Sequence, residues 1–383
     1  MDYVTRVYTN PLDISADDWD GLCAHQDNPT PFMSHAYLSA LQDSGSATQA
    51  TGWAPCFVTV WHAEQLVAAC AFYIKNHSYG EYVFDWAWAN AYGEHGLAYY
   101  PKGLVAVPFT PVPGTRLLAI DTDSRVHLLS AVLEICKKHN LSSLHLLFIS
   151  PDDRLACDAL GLMQRQTVQF HWRNAHFTDF DHFLSSLTQE KRKKIKQERR
   201  RVQEAGVIFS TRTGSQISNE DWDFFYACYE RTYLEHGNAP YLSRSFFKSM
   251  QRHMAHQWVL FVAERNGAPI ACSLIAVHAL GTDHAVAYGR YWGALERVDC
   301  LHFEACYYQP LRWCIDNQVS CFEGGAQGEH KMARALMPVT TYSAHWLAHP
   351  AFANAVEDFL KRERSGVDQY LEHLTERSPF KQA

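Results

Sequence analysis

The sequence predicts an α+β chain of two halves, each a small mixed sheet flanked by helices. Three observations carry this expectation. Strand-period and helix-period segments are interspersed along all 383 residues. The strand-like runs come in hairpin pairs rather than in the strict strand–helix alternation of a doubly wound fold. The series of elements then runs through a second time, and a chain of this length has two domains as its prior.

In order, residues 17–25 and 34–43 read as short helices opened by Ser15 and Ser34, whose hydroxyls suit N-caps. Runs 56–62 and 66–74 are strands joined by the turn His62-Ala63-Glu64-Gln65. The stretch 101–114 holds four prolines and two glycines, so it is no helix and a poor central strand, and an extended loop is expected. Residues 125–140 are helical by period and 143–149 form an apolar strand. In the second series, 164–173 is a strand and 180–205 one long helix stopped by Gly206. Residues 207–211 are a strand, and 221–235 and 243–254 are helices. Three strands follow at 257–264, 270–278 and 284–290, the first two joined through Arg265-Asn266-Gly267. A helix over 301–317, a strand over 320–323, a short helix over 329–335 and a strand over 340–347 complete the half. Pro350 then opens a final amphipathic helix.

Composition narrows the function. At 47% hydrophobic and 20% charged, the chain is globular with ample core material. A net charge of −7 gives no overall bias toward nucleic acid or anionic membranes. No run approaches the 18 or so apolar residues of a membrane span, and the N-terminus lacks a signal-peptide layout. The eleven cysteines are scattered in apolar runs without a Cys-x-x-Cys, which points to buried thiols in a reducing cytoplasm. The 21 histidines are dispersed, and His330, His345 and His349 fit no common metal spacing, so no metal is expected.

Five stretches can carry chemistry. Residues 321–335 (CFEGGAQGEHKMARA) combine Gly324, Gly325 and Gly328 with Gln327, Glu329, His330, Lys331 and Arg334. Glycines admit close backbone approach, and the polar side chains supply donors and bases; the plain alternative is a polar surface loop. Residues 191–201 hold eight basic side chains, among them Lys193, Lys194 and Arg200. They form either a phosphate-binding face or a solvated helix offset by Glu190, Glu198 and Glu204, with Ile195 and Val202 as its core anchors. The aromatic stretch 79–100, with Asp85 and Trp88, is either a domain core or a pocket wall. Tyr288-Gly289-Arg290-Tyr291-Trp292-Gly293 ends a strand, where Arg290 either grips a carboxylate or phosphate or sits in a turn. In the helix from 301, His302, Glu304 and Tyr308 offer acid–base groups, while Cys306 is a weak nucleophile candidate without an identifiable base. A Glu304 among aromatics would have a raised pKa.

Together FDWAWANAYGEHGLAYYPKGLVAVPFTPVPGTRLL (84–118), KRKKIKQERRRVQEAGV (191–207), YGRYWG (288–293), LHFEACYYQPLRW (301–313) and FEGGAQGEHKMAR (322–334) resemble the FemAB-like "peptidogalycan biosynthesis/recognition" group of bacterial proteins. That group lies within the GNAT-like acyl-CoA N-acyltransferase superfamily. The resemblance covers nearly the whole chain. It implies α+β, tandem GNAT-like domains with mixed sheets flanked by helices, at 1–170 and 171–383, the second containing the basic helix and the Gly-rich segment. The related Fem peptidyltransferases move an aminoacyl group from aminoacyl-tRNA to an amine on a peptidoglycan precursor. The resemblance therefore implies a cytoplasmic N-acyltransferase with no permanently bound cofactor, using acyl-CoA or aminoacyl-tRNA as co-substrate and a small-molecule or peptide amine as acceptor. The pyrophosphate signature of GNAT enzymes (Arg/Gln-x-x-Gly-x-Gly/Ala) is absent from both halves, which puts acetyl-CoA in doubt.

Direct acyl transfer needs a base for the amine, donors for the oxyanion and a cleft. Glu304, Glu323 and Glu329 are the expected bases. Arg290, Lys331 and Arg334 are the expected anion binders. Tyr288, Tyr308, Gly324, Gly325, Gln327, Gly328, His330, Asp85 and Trp88 are expected around the substrate, with tRNA on the basic helix 191–201 through Lys193, Lys194 and Arg200. The alternative is a non-catalytic GNAT-like protein that recognises a peptide, a cell-wall precursor or tRNA.

Overall fold

The computed structural model describes residues 3–326 and 328–381, and Gln327 lies outside the described residues. The chain divides into two compact units. Unit 1 comprises Met1–Thr167 with Thr340–Tyr370; unit 2 comprises Val168–Val339 with Leu371–Ala383.

Unit 1 contains β1 (Tyr3–Tyr8), α1 (Ala16–Ala24), α2 (His35–Asp43), β2 (Trp53–His62), β3 (Gln65–Lys75), α3 (Trp86–Glu94), β4 (Lys102–Val105), β5 (Leu118–Ala119), α4 (Thr122–Lys138), β6 (Ser143–Leu147) and α5 (Pro151–Ala159). Next along the chain come β7 (Met163–Arg173), α6 (Phe180–Ser186), α7 (Gln189–Glu204), β8 (Val207–Thr213), α8 (Asn219–Glu235) and α9 (Arg244–His253). They are followed by β9 (Trp258–Arg265), β10 (Ala268–His278), β11 (Val286–Ala294), α10 (Leu301–Phe303), α11 (Gln309–Asp316), β12 (Cys321–Ala326), β13 (Met337–Leu347) and α12 (Pro350–Glu376).

Each unit repeats one strand plan. In unit 1, β1-β2-β3-β4 are antiparallel, β4 runs parallel to β6, and β6 is antiparallel to β13. In unit 2, β8-β9-β10-β11 are antiparallel, β11 runs parallel to β12, and β12 is antiparallel to β7. Alternation sets the cores. Val58 and Val60 on β2 and Ala68, Cys70 and Phe72 on β3 face Leu128, Leu129, Val132 and Cys136 on α4, at helical spacing. In unit 2, Tyr291 on β11 meets Phe225 and Tyr229 of α8 and Phe247 of α9, while the next residue, Trp292, turns to the opposite face and meets His302. Gly293 is required: a Cβ there would lie 2.0 Å from the Cys228 carbonyl oxygen, so α8 packs directly on strand backbone.

The hairpin 56–62/66–74 and its turn, the Ser15 and Ser34 caps, and the hairpin through Asn266-Gly267 all appear in the structure. Three expectations are corrected. The helix expected over 180–205 is two helices. Leu187 is extended, the Thr188 N–H donates to the Pro379 carbonyl at 2.9 Å, and the Lys381 N–H donates to Ser186. Pairing with the chain's end thus replaces helical bonds at a point the apolar spacing of Phe180, Phe183, Leu184 and Leu187 did not reveal. The helix expected over 301–317 opens into a π-turn at Glu304–Tyr308. The Gln309 N–H bonds Glu304 five residues back, and Pro310 has no N–H to offer the Ala305 carbonyl, which accepts from the Ser273 hydroxyl instead. The proline-rich loop carries the four-residue strand β4. Strand β1 and helices α3 and α5 had no expectation.

Candidate active site

Unit 2 holds a wedge in its sheet. β11 and β12 pair in parallel only over Val286–Cys321, Ala287–Phe322 and Tyr288–Glu323; beyond that β12 continues against β7 while β11 stays with β10. A β-bulge accompanies the parting. Leu274 faces Tyr291 and Ile275 faces Gly289, so Arg290 is the extra residue. The resulting cavity of ≈ 160 Å³ is walled by Trp292, Tyr291, Tyr307 and Phe322, and Arg290, His302, Cys306, Gly324 and Lys331 also line it.

The π-turn and the Gly-rich segment build its far wall. Widening at Glu304–Tyr308 brings Cys306 and Tyr307 to the cavity together with His302 one turn before. Gly324 must be glycine, because a Cβ would meet Leu336 Cδ2 at 2.3 Å and the Phe170 carbonyl at 2.9 Å. Gly325 and Gly328 take left-handed φ of 75° and 100°. They turn the chain into a 3-10 helix, Glu329–Arg334, that buries Lys331. Its ammonium donates to the Gly325 carbonyl at 3.1 Å, and burial lowers its pKa to about 8. Burial, then His330, Arg334 and Lys331, push His302 down to about 4, so its imidazole is neutral near neutral pH. Burial also raises the Cys306 thiol, which keeps it protonated. His330 Nε2 lies 3.3 Å from the Tyr307 hydroxyl.

The other expected residues fall into separate groups. Glu304 is buried; burial raises its pKa, and it accepts from Arg199 Nε at 3.2 Å and from Gln309 at 2.7 Å. With Arg199, Lys196 and Arg200 it lines a polar groove of ≈ 480 Å³ beside α7 rather than the wedge. Arg334 and Glu198 hold each other: the guanidinium donates to both carboxylate oxygens at 3.0 and 2.8 Å and stacks 3.5 Å over the Phe303 ring. Tyr308 donates to the same carboxylate. Glu198 is therefore a buried anchor of α7, not a surface counter-charge. Lys193, Lys194 and Arg200 are exposed, with Arg200 3.7 Å from Glu204. Glu329 is exposed and 3.2 Å from Arg377. Glu323 lies between Phe322 and Gly324, 3.9 Å from His171, and after burial it is what raises the Tyr288 hydroxyl pKa.

Asp85 and Trp88 belong to unit 1, inside its core. Asp85 accepts from Lys102 and from the Tyr99 hydroxyl at 2.7 Å, and Trp88 meets His345 edge-on at 4.9 Å. His345 Nδ1 in turn lies 2.8 Å from His145 Nδ1, and burial holds both histidines well below their usual pKa.

Thus the wedge gathers Arg290, Gly324 and Lys331 from the expected set. It adds His302 and Cys306, the Tyr291 and Trp292 that follow Arg290 in its stretch, and Ser273 and Tyr307, which had no assigned role. Pro310, four residues after Cys306, was the available signal that this helix would open. No group of three or more His, Cys, Asp or Glu able to hold a metal occurs among the described residues, and no described helix is long and apolar enough to cross a membrane.

The doubled strand plan is an α+β fold, with mixed sheets flanked by helices. Residues 11–382 match the FemAB-like family, "Peptidogalycan biosysnthesis/recognition", and the chain belongs to that family. Among solved structures it is similar to FemX, with a TM-score of 0.56 at 10% identity over 93% of this chain and 100% of that one. It is also similar to L-PGS from Bacillus licheniformis, with a TM-score of 0.53 at 11% identity over 90% and 97%. A conserved protein of unknown function from Bacteroides thetaiotaomicron gives 0.52 at 12% identity over 88% and 98%. At such identities these likenesses speak to the fold. No curated protein matches the sequence.

Proposed function

We propose that this protein is an N-acyltransferase whose unit 2 wedge seats the reacting acyl group of an activated donor, the two units acting as GNAT-like domains of one enzyme. The observation that carries this reading is the buried Lys331 ammonium on the wall of a cavity opened by the parting of β11 and β12. An amine nitrogen attacks the acyl carbon and a C–N bond forms. The carbonyl becomes an oxyanion, which Lys331 stabilises from a low-dielectric wall. Collapse breaks the donor's C–O or C–S bond, and the leaving oxygen or sulfur carries away the proton lost by the amine. At pH 7 a lysine of pKa about 8 is still mostly charged, as this role needs.

The exposed basic side of α7 favours a polyanionic donor, and aminoacyl-tRNA fits it better than a small thioester. A peptidoglycan precursor ending in an amine is the acceptor that the family's description suggests. Glu304, held by Arg199 in the neighbouring groove, is assigned to donor positioning, and Glu323 and Glu329, neither of which lines the wedge, are left as candidates for the base.

The test is donor consumption: labelled charged tRNA and a panel of acyl-CoA thioesters, each with and without an amine-bearing precursor. Lys331→Ala is expected to lower kcat by about 10²–10³. The wild-type rate is expected to fall as pH rises through about 8, because the folded lysine then loses its charge. Lys331→Arg, which stays charged, should lose that falling limb. A wild-type rate that climbs steadily through that pH sinks the oxyanion role. Binding of donor or precursor with no consumption of any donor returns the protein to the class of non-catalytic GNAT-like binders.

A further inference from the structure

In the groove beside α7, Arg199 is fixed along one edge of its guanidinium only. Its Nε donates to both oxygens of Glu304 at 3.2 Å, and its Cζ lies 4.6 Å from the centre of the Phe180 ring. Among the described residues none accepts from its two Nη nitrogens, and the side chain is 27% exposed, so it reaches solvent. Glu304 is held in turn. It is buried and accepts from Gln309 Nε2 at 2.7 Å. The π-turn provides that donor, because bonding to the fifth residue sets Gln309 one turn above Glu304. Lys196 and Arg200 line the same groove, at i−3 and i+1 from Arg199 on the same side of α7. Lys196 has no acidic partner among the described residues. Arg200 has Glu204 at 3.7 Å, an exposed pair that holds it weakly. The acids of the groove are Glu304, already engaged, and the exposed Asp181.

We infer that Arg199 seats a phosphate group of the donor, with Lys196 and Arg200 beside it, and that Glu304 is the positioning residue that orients Arg199. The inference rests on the acyl-transfer reading above and deepens it by naming the group through which the donor is held. A guanidinium pinned at Nε keeps its Nη pair in one orientation, and such a fork matches phosphate with parallel hydrogen bonds. A carboxylate is satisfied by the fork alone, whereas a phosphate has oxygens left for the neighbouring cations. Lys193 and Lys194 do not line the groove, so they attract the donor without fixing it.

Two matched pairs of probes, titrated onto the full chain, test this. One arm compares CoA with pantetheine, which lacks the phosphates. The other compares a short single-stranded RNA with the peptide nucleic acid of the same sequence, whose backbone is uncharged. The arm that binds identifies the source of the phosphate, and within it the phosphorylated member should bind at least about tenfold tighter. Arg199→Gln should weaken that member by about tenfold or more and leave its phosphate-free counterpart unchanged. In the RNA arm it should also flatten the plot of log K against log salt by about 0.7, the share of one phosphate contact. Glu304→Ala separates positioning from charge by its sign. Removing an anion from the groove tightens binding if charge alone matters, and weakens it if Arg199 needs its hold. Weaker binding is expected, and tighter binding overturns the inference. Wild-type affinity in Arg199→Gln, equal binding within a pair, or no binding in either arm overturns it as well. Each of these leaves donor consumption by the wild type, and with it the transferase, to stand or fall separately. If Glu304→Ala does not fold, Arg199→Gln still decides.

Discussion

Removing the Glu198 carboxylate should unfold unit 2 well below the wild-type temperature. Glu198 sits on the inner side of α7, and its partner Arg334 is only 1% exposed, so the guanidinium has no water to turn to. Breaking a buried pair by deleting one member costs about 3–5 kcal/mol, chiefly because the other charge stays buried. For a unit of this size each kcal/mol lowers Tm by roughly 2–4 °C, which gives a drop of about 6–20 °C for Glu198→Ala. Tyr308 loses its acceptor in the same variant and adds to the loss. Glu198→Gln, which keeps the shape and some hydrogen bonds, should fall between. The decisive measurement is a double-mutant cycle by urea and thermal unfolding. Glu198→Met with Arg334→Met should be more stable than either single change, since the pair leaves together. A single change costing under about 1 kcal/mol, or additive losses, would refute the view that this pair ties α7 to the Gly-rich segment.

Two further outcomes follow from charge. Reversing Lys193, Lys194 and Arg200 to Glu should weaken tRNA binding and flatten the plot of log K against log salt by about 2–3, at roughly 0.7–0.9 per phosphate contact; unchanged retention at low salt refutes the donor-binding role of α7. Acid should destabilise the fold before any carboxylate titrates normally. Burial, with Arg173 and Lys331 adding to it, pushes His171 down to about 4, and burial holds His145 and His345 well below their usual range. The unfolded chain takes up those protons near pH 6.5 while the folded chain does not, so stability is full above that value and falls as pH drops toward about 4. His171, at about 4 against an ordinary 6.5, alone holds on the order of 3 kcal/mol. An unchanged urea midpoint between pH 7 and pH 5 contradicts this.

How far the sequence could be read depended on whether a signal was local. Hairpin turns, serine caps and alternating strands are set by neighbours in sequence, and Asn266-Gly267, Ser15 and Ser34 marked them correctly. The break at Leu187 is set by residues 379–381, nearly two hundred positions away, and helical spacing continues smoothly across it. The site shows the same division. The glycines of 324–328 announced a special backbone, and Arg290 and Lys331 announced positive charge. That Arg334 would face Glu198, and that Glu304 would face Arg199 in a different groove, depends on tertiary pairing that no local pattern records. Asp85 and Trp88 illustrate the converse: an aromatic stretch with a carboxylate looks the same whether it lines a pocket or, as in unit 1, closes over a buried lysine.

The π-turn at Glu304–Tyr308 makes this part of the chain sensitive to residue count more than to residue type. A helix advances about 100° per residue, and the turn stores one residue beyond what an α-helix would use. Losing any one of those five positions would let the helix close up, and everything before it would swing by about that angle. His302 would then leave the cavity and Phe303 would leave the Arg334 guanidinium, although every side chain on both sides was unchanged. Lengths in this segment are thus fixed by the geometry of the wall, while substitutions that keep its volume are the changes it can absorb.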